Sequence, residues 1–226
     1  MGIIEKISTI LFPKECPVCG KILVSGEDIF CTECLLNFPW SDPDFQSLGL
    51  YFKTLPIEIR PEKLFSLFNY TGGADTKNLL FAIKYHNRPQ LAYQLGLMLG
   101  ERIKEHLKGD IIIPVPLHKS RARKRGYNQS EQIAKGVSEI TAIPYNTGVL
   151  IRKKNTKTLT DKNLSERLTE IGGAFSLNDS SPIEGKNIII IDDVITTGAT
   201  IGACLHALKG TKINSITLLC IARTSL

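Results

Sequence analysis

Short, mainly apolar runs alternate with longer helical patterns from Leu64 onward, and such runs are typical of strands buried on both faces. Between the runs, apolar residues recur three and four positions apart, which predicts helices. The predicted strands are 64–70, 111–116, 147–151, 173–177, 188–191 and 215–222. The predicted helices are 75–85, one beginning at Pro89, one around 133–140, and one at 201–209 ended by Gly210. This alternation predicts βαβ units and a mostly parallel α/β sheet.

The residues before Leu64 follow a different pattern. Apolar positions in 3–11 have the spacing of a short amphipathic helix, whereas 13–40 is rich in cysteine and proline. Prolines and the lack of a clear period make 41–63 a predicted linker. We therefore expect an N-terminal module (1–40), the linker (41–63) and a main domain (64–226).

Composition adds little to this picture, because 226 residues with 42% hydrophobic and 22% charged content are ordinary for a globular protein. No apolar run approaches the roughly 18 residues of a membrane span, so we expect no membrane insertion. The first residues lack the basic start and the small-residue cleavage site of a signal peptide, which predicts a cytoplasmic protein.

Two cysteine pairs in the N-terminal module form a C-x2-C-x11-C-x2-C pattern. Two sulfurs spaced in this way grip one metal ion from a tight turn, and two such turns complete a tetrahedral zinc site. Disulfides or loose thiols are the alternative, and a cytoplasmic setting disfavours disulfides. With all positions filled by thiolates the site would be structural, and the metal would supply folding energy to a small region. The predicted zinc ligands are Cys16, Cys19, Cys31 and Cys34.

The run IIIIDDVITTGAT at 188–200 carries the clearest functional pattern. A buried strand leads into two carboxylates, which can accept hydrogen bonds from the vicinal hydroxyls of a ribose or support Mg²⁺. The following turn offers threonine hydroxyls, a glycine and a helix N-terminus to a phosphate. A strand end with threonines capping a helix is the structural alternative. The predicted ribose and phosphate ligands are Asp192, Asp193, Thr196, Thr197, Gly198, Ala199 and Thr200.

Positive charge is concentrated in two segments of a chain with net charge +6, which hints at polyanionic partners. KSRARKR at 119–125 contains five cations and RKKNTK at 152–157 contains four; a solvated face is the alternative for either. The first segment follows strand 111–116, so its loop is expected at the sheet edge that carries the carboxylates. There it could neutralise a pyrophosphate. The predicted pyrophosphate ligands are Lys119, Arg123, Arg125 and Gly126.

The run at 188–200 resembles the signature of type I phosphoribosyltransferases that binds 5-phosphoribosyl-1-pyrophosphate (PRPP). The resemblance implies that Asp192 and Asp193 contact the ribose hydroxyls and that Thr196 to Thr200 hold the 5′-phosphate. It also implies Mg²⁺ on the pyrophosphate.

A second resemblance covers nearly the whole chain. Paired cysteines, PVPL at 114–117, an arginine cluster and RGYNQ at 125–129 are together similar to the ComF family of competence-associated proteins. This resemblance implies a type I phosphoribosyltransferase fold, a mostly parallel sheet flanked by helices. A small N-terminal four-cysteine zinc-ribbon-like module would be attached to it. It further implies a part in bringing transforming single-stranded DNA into the cytoplasm, with competence proteins as partners.

Two functions remain open on this reading. The first is a PRPP-binding competence factor that meets single-stranded DNA. The candidate DNA contacts are Arg121, Arg123, Lys124, Arg125, Tyr127, Arg152, Lys153 and Lys154.

The second is an active, Mg²⁺-dependent phosphoribosyltransferase with an unidentified nitrogen acceptor. The family resemblance implies a mobile loop over the site, in which Lys157, Thr158, Glu166 and Arg167 are the candidate catalytic residues. Leu159 and Glu170 depart from the family pattern there.

Overall fold

The structure is a computed structural model, and it describes residues 13–42, 48, 60–85, 88–153 and 173–224. The predicted alternation of strands and helices is confirmed. In chain order the elements are α1 (Thr32–Asn37), β1 (Lys63–Tyr70), α2 (Ala74–Tyr85), α3 (Pro89–Ile103), β2 (Ile111–Pro114), α4 (Lys119–Arg125), α5 (Gln129–Thr141), β3 (Leu150–Arg152), β4 (Phe175–Leu177), β5 (Lys186–Ile195), α6 (Ala199–Ala207) and β6 (Ile213–Thr224).

The main sheet has the strand order β1-β6-β5-β2, and every neighbouring pair in it is parallel. The carboxyl ends of its strands therefore meet at one edge. The predicted strands at 147–151 and 173–177 do not join this sheet. They form β3 and β4, which are shorter than predicted and pair with each other in antiparallel fashion.

The four isoleucines of β5 explain why that strand has no polar face. Ile189 and Ile191 belong to a core beneath α2, α3 and α5, while Ile188 and Ile190 belong to a second core beneath α6 and the β3–β4 pair. Successive side chains of a strand point to opposite faces, so a strand covered on both sides must be apolar throughout.

Residues 13–42 pack directly against β1, the outer strand of this sheet. Backbone hydrogen bonds join Ser41 to Leu67 and Asn69 to Pro39, so the segment runs beside β1. The rings of Phe38 and Phe68 meet edge to face, with centroids 4.9 Å apart. Asn78 of α2 also donates a hydrogen bond to the carbonyl oxygen of Val18, in the first cysteine pair. The cysteine module therefore shares a core with the main domain.

Helices α3 and α5 cross closely because glycines line their contact. A methyl group added at Gly136 would lie 2.3 Å from the carbonyl oxygen of Tyr93, and one added at Gly96 would lie 2.3 Å from that of Ile133. This close approach fixes α5, whose first turn reaches the carboxyl edge of the sheet.

The segment 119–125, predicted as a loop, is instead the short helix α4. The Nδ1 atom of His118 accepts a hydrogen bond from the Ser120 N–H at its start, and Gly126 ends it with a φ of 84°. Within the described ranges, no helix is long and apolar enough to pass through a membrane. The predicted N-terminal helix, most of the predicted linker and the loop from Lys154 to Glu170 lie outside the described residues.

Candidate functional site

Asp192 and Asp193 lie at the carboxyl edge of the sheet, where β2 ends. Pro114, the last residue of β2, pairs with Ile191, but β5 continues to Ile195 because β6 still pairs with it. The expectation that the strand stops before the acids is therefore wrong: both acids are strand residues. They are only 6% and 5% exposed. The shorter neighbouring strand opens space on one side of two buried carboxylates.

Two helices hold these carboxylates in place. The Ser130 hydroxyl, in the first turn of α5, donates to Asp192 Oδ1 over 3.0 Å, and the Asp193 N–H donates to the same oxygen over 2.9 Å. Lys84, near the end of α2, places Nζ 3.0 Å from Asp193 Oδ2. A carboxylate oxygen can accept more than one hydrogen bond, so the pair keeps capacity for a ligand.

Burial beside a second carboxylate shifts the pKa of Asp192. Burial, together with the neighbouring Asp193 carboxylate, raises the pKa of Asp192 to about 8, against the hydrogen bonds from the Asp193 N–H and Ser130 and the charge of Lys84. Burial acts to lower the pKa of Lys84, but the attraction of Asp193 outweighs it and the pKa is raised. The site without ligand thus favours one proton on Asp192 beside a Lys84–Asp193 ion pair.

This proton predicts a pH-dependent stability. The pKa of an aspartate in an unfolded chain is about 3.9, so between pH 4 and pH 8 the folded state binds the extra proton. The free energy of unfolding must then fall as pH rises through this window. Asp192→Asn cannot lose a proton. We expect its melting temperature, relative to that of the wild type, to rise by roughly 7–15 °C between pH 5 and pH 8, at about 1.4 kcal/mol per pH unit and about 2–4 °C per kcal/mol.

Thermal melts at the two pH values measure this shift. Asp75→Asn, on the exposed first turn of α2, is the matched control and should differ from the wild type equally at both. An equal offset for Asp192→Asn at pH 5 and pH 8 would contradict the assignment of the proton to Asp192.

The turn after β5 leads into helix α6. Gly198 caps the helix with a φ of 63°, and no side chain caps it. The structural alternative, in which threonines cap this helix, is therefore not what the structure shows. Thr196 is exposed, and Thr197 and Thr200 are partly exposed. Hydroxyls and first-turn N–H groups together suit a bound phosphate.

A basic cavity adjoins the carboxylates. It measures about 480 Å³ and lies between the end of α2 and α4. Lys84 links the two features, because it lines the cavity and pairs with Asp193. Lys119, at the start of α4, is exposed and does not line the cavity. The lining residues are Lys84, Tyr85, Arg121, Arg123, Lys124, Arg125 and Gly126.

Aromatic rings border this cavity. The guanidinium of Arg125 lies 5.5 Å from the centroid of the Tyr85 ring, and its Nη1 donates to Gln129 Oε1. Tyr127, a candidate DNA contact, is partly exposed and donates its hydroxyl hydrogen to the carbonyl oxygen of Ile83 over 2.6 Å. The more exposed aromatic side chains on this face are Phe81 and Tyr85.

The second basic segment is described only at its start. Arg152 lies 5.0 Å from the centroid of the Phe175 ring, and burial and the charge of Arg121 lower its pKa while Asp192 opposes them. Arg152 is therefore close to both α4 and the carboxylates. Lys153 is exposed. Lys154 and the candidate catalytic residues Lys157, Thr158, Glu166 and Arg167 lie outside the described residues.

The four predicted zinc ligands form a separate cluster. Their Sγ atoms all lie within 4.8 Å of one another, and Cys19 and Cys31 are 3.6 Å apart. That distance is too long for a disulfide, about 2.05 Å, and close to the roughly 3.8 Å edge of a zinc–thiolate tetrahedron. Burial acts to raise the pKa of Cys16, but N–H groups of Cys19, Cys31 and Val18 lower it to about 7. The cluster could hold a metal ion.

Two contacts of the carboxylates were not assigned from sequence. Ser130 could be read only as a residue near the start of a helix, and Lys84 only as the end of helix 75–85. Serine and lysine are common at helix ends on protein surfaces, so neither residue type predicted a contact with the carboxylates.

Comparison with known proteins assigns the main domain to a known family. Residues 90–225 match the phosphoribosyl transferase domain. Competence protein F of Haemophilus influenzae is 32% identical over 216 residues, which cover 93% of this chain and 86% of that protein. The DNA utilization protein YhgH of Salmonella typhimurium is 25% identical over 217 residues, 92% of this chain and 90% of that one. Competence protein ComFC of Bacillus subtilis is 34% identical over 113 residues, 48% and 44% respectively.

Proposed function

Because this chain belongs to the ComF family and contains a phosphoribosyl transferase domain, we propose that it binds PRPP with Mg²⁺ and handles single-stranded DNA in competence. One observation carries the first part: two buried carboxylates lie between the glycine-capped start of α6 and a basic cavity. The proposal includes a cytoplasmic location and structural zinc on the four cysteines, which are free thiols rather than disulfides.

The three polar parts of PRPP find three matching partners. The ribose hydroxyls would donate to Asp192 and Asp193. The 5′-phosphate would accept hydrogen bonds from the threonines and N–H groups at the start of α6. The pyrophosphate would enter the cavity between α2 and α4, where arginine forks suit phosphate oxygens. Mg²⁺ would supply further charge neutralisation on the pyrophosphate.

Replacing both acids tests the PRPP proposal. We expect Asp192→Asn combined with Asp193→Asn to abolish Mg²⁺-dependent PRPP binding, with an affinity loss of at least about 100-fold, because buried amide groups cannot accept as strongly as carboxylates. Isothermal titration calorimetry measures the affinity, and a circular dichroism melt verifies the fold. Asp75→Asn serves as the control and should bind normally. An unchanged affinity in the double variant would sink the assignment.

Phosphoribosyl transfer is the second candidate, and the domain match across residues 90–225 favours it. An acceptor nitrogen would displace pyrophosphate from the anomeric carbon, and the cavity cations would stabilise the leaving group. Pyrophosphate release in the presence of PRPP, Mg²⁺ and a panel of acceptors tests this. Release with one acceptor would establish turnover, whereas tight binding without release would favour a ligand-binding role.

The basic surface supports the DNA part of the proposal. Arg123 and Lys124 are exposed and line the cavity, and Lys153 is exposed at the start of the second basic segment. We expect affinity for a single-stranded oligonucleotide to fall steeply with salt, since each neutralised phosphate adds about 0.7 to the slope of log K against log salt. Arg123→Ala with Arg125→Ala should flatten that slope by roughly 1.4.

Fluorescence anisotropy of a labelled oligonucleotide at several salt concentrations measures the slope. Lys108→Ala with Lys186→Ala removes the same charge at the opposite edge of the sheet, before β2 and at the start of β5, and should leave the slope unchanged. A salt-independent signal, or equal flattening by both pairs, would argue against DNA contact at α4.

A further inference from the structure

Helix α2 presents two stacked aromatic rings on its exposed side. Phe81 and Tyr85 lie one turn apart, with ring centroids 4.6 Å apart and an angle of 34° between the planes. They are 53% and 62% exposed. By contrast, Phe30, Phe38 and Phe68 are buried in the core. Two adjacent exposed rings are unfavourable in water, and such patches commonly mark a binding surface.

These rings are continuous with the basic cavity. Tyr85 lines the cavity, and Arg125 lies 5.5 Å from the centre of its ring. The Gln129 side chain accepts a hydrogen bond from Arg125 and thereby fixes the guanidinium beside the ring. Within the described part of the chain, five lining side chains are cationic and none is acidic. An aromatic platform thus borders a site suited to phosphate.

We propose that Phe81 and Tyr85 stack a base of single-stranded DNA while a neighbouring phosphate of that strand enters the basic cavity. This inference rests on the proposed function in DNA handling and names the surface that would perform it. Stacking on aromatic rings beside a positive groove is how proteins bind single strands without reading their sequence.

The exposure of the rings favours a strand over a free base. A free base has no phosphate to anchor it, so it needs an enclosed pocket that covers most of its surface. Phe81 and Tyr85 instead offer an open platform, on which a base gains only part of that burial. A base in a strand receives the missing attraction from its phosphates in the cavity. A base in a duplex is already stacked on both faces and cannot use the rings.

The same cavity would receive the pyrophosphate of PRPP. A DNA phosphate and a pyrophosphate would compete for Arg123 and Arg125, and their negative charges would repel each other in one cavity. We therefore expect the strand and pyrophosphate to compete for this site. A protein loaded with PRPP would bind single-stranded DNA more weakly than the free protein, so PRPP would regulate DNA binding at this surface.

Fluorescence anisotropy with a labelled 15-nucleotide single strand tests the platform. Phe81→Leu with Tyr85→Leu keeps apolar bulk and removes both rings, and we expect a loss of about 5- to 100-fold in affinity. The salt slope should stay unchanged, because stacking involves no counterion release. Tyr85→Phe, the matched control, keeps the ring and should bind within about twofold of the wild type. Inorganic pyrophosphate should displace the strand, whereas sulfate at equal ionic strength should not.

The outcomes separate this inference from the proposed function. If the leucine variant, with an unchanged melting temperature, binds the strand as tightly as the wild type, the platform is wrong and the DNA role stands. If the wild type does not bind single strands at 50 mM salt, both fail, and PRPP binding stays independently testable at Asp192 and Asp193. Equal affinity for duplex and single-stranded DNA would also overturn the proposal, because a paired base cannot stack on the rings. Failure of inorganic pyrophosphate to displace the strand would overturn it too, because both would bind the same cavity. If the wild type binds adenine and the leucine variant does not, while both bind the strand, the rings would be assigned to a free base.

Discussion

Replacing Cys31 with serine should abolish zinc binding at the proposed four-cysteine site and unfold residues 13–42. A structural zinc ion contributes on the order of 10 kcal/mol or more to folding of a small domain. Cys31 Sγ lies 3.6 Å from Cys19 Sγ, and the Cys31 N–H helps to lower the pKa of Cys16. Serine removes one thiolate ligand, so the two cysteine pairs would no longer be joined by the proposed zinc ion. We expect one zinc per wild-type chain and far less than one in the variant.

Trp40 gives this experiment a local readout, because it is the one tryptophan of the chain. Its ring lies 5.0 Å from that of Phe38 and 5.6 Å from that of Phe30, inside the module's aromatic cluster. Emission should shift to the red in Cys31→Ser, or in the wild type after chelation, while far-ultraviolet circular dichroism keeps most of its signal.

Cys204→Ala is the matched control, since Cys204 is a buried cysteine on α6 outside the cluster. It should lose stability but keep one zinc and the Trp40 emission. A wild-type protein that is folded and free of metal, with the Trp40 emission not shifted to the red, would refute the structural role of the cluster.

Replacing Lys84 with methionine should destabilise the folded protein by about 3–5 kcal/mol at pH 8, the cost of leaving a buried charge without its partner. Asp193 is buried, and its Oδ2 lies 3.0 Å from Lys84 Nζ. Adding Asp193→Asn removes the orphaned charge and should restore more than half of the loss.

Urea unfolding of the two single variants and the double variant gives the coupling between these residues. Lys77→Met removes an exposed lysine from the same helix and should change stability by less than about 0.5 kcal/mol. If Lys84→Met costs no more than this control, or if Asp193→Asn does not rescue it, the ion pair does not stabilise the site.

The strongly patterned parts of the fold could be predicted from sequence. The isoleucines of β5 are uniformly apolar because two cores cover them, and burial on both sides leaves a clear trace in composition. The cysteine spacing predicted the cluster for a similar reason, since a tetrahedral site permits few arrangements.

Features that depend on contacts with elements distant in sequence could not be predicted. The end of β5 depends on β6, which continues beside Asp192 after β2 has stopped. Helix α4 carries almost no apolar stripe, so its sequence gave no helical period. Residues 147–151 and 173–177 are apolar enough for strands, but pattern alone does not choose a partner, and they pair with each other.

The contact of Lys84 with Asp193 could not be predicted because it depends on the direction of α2. A helix that follows a parallel strand usually carries its far end to the opposite edge of the sheet. Here α2 begins after the carboxyl end of β1, yet Lys84 near its own end reaches Asp193 at that same edge. Both ends of the helix therefore lie near the carboxyl edge of the sheet. A pattern of apolar positions along the sequence does not reveal this direction.

The position of β1 at the edge of the sheet has a consequence for synthesis and folding. Its ladder partner within the sheet is β6, and the contact between Asn69 and Arg223 joins residues 154 positions apart. A chain leaving the ribosome must therefore hold the apolar residues of β1 without that partner until the last strand emerges. Contacts of such long range slow folding and leave an unpaired strand exposed to aggregation. The segment beside Trp40, which bridges to Phe68 from the other side, is available earlier and can shield β1 while it waits.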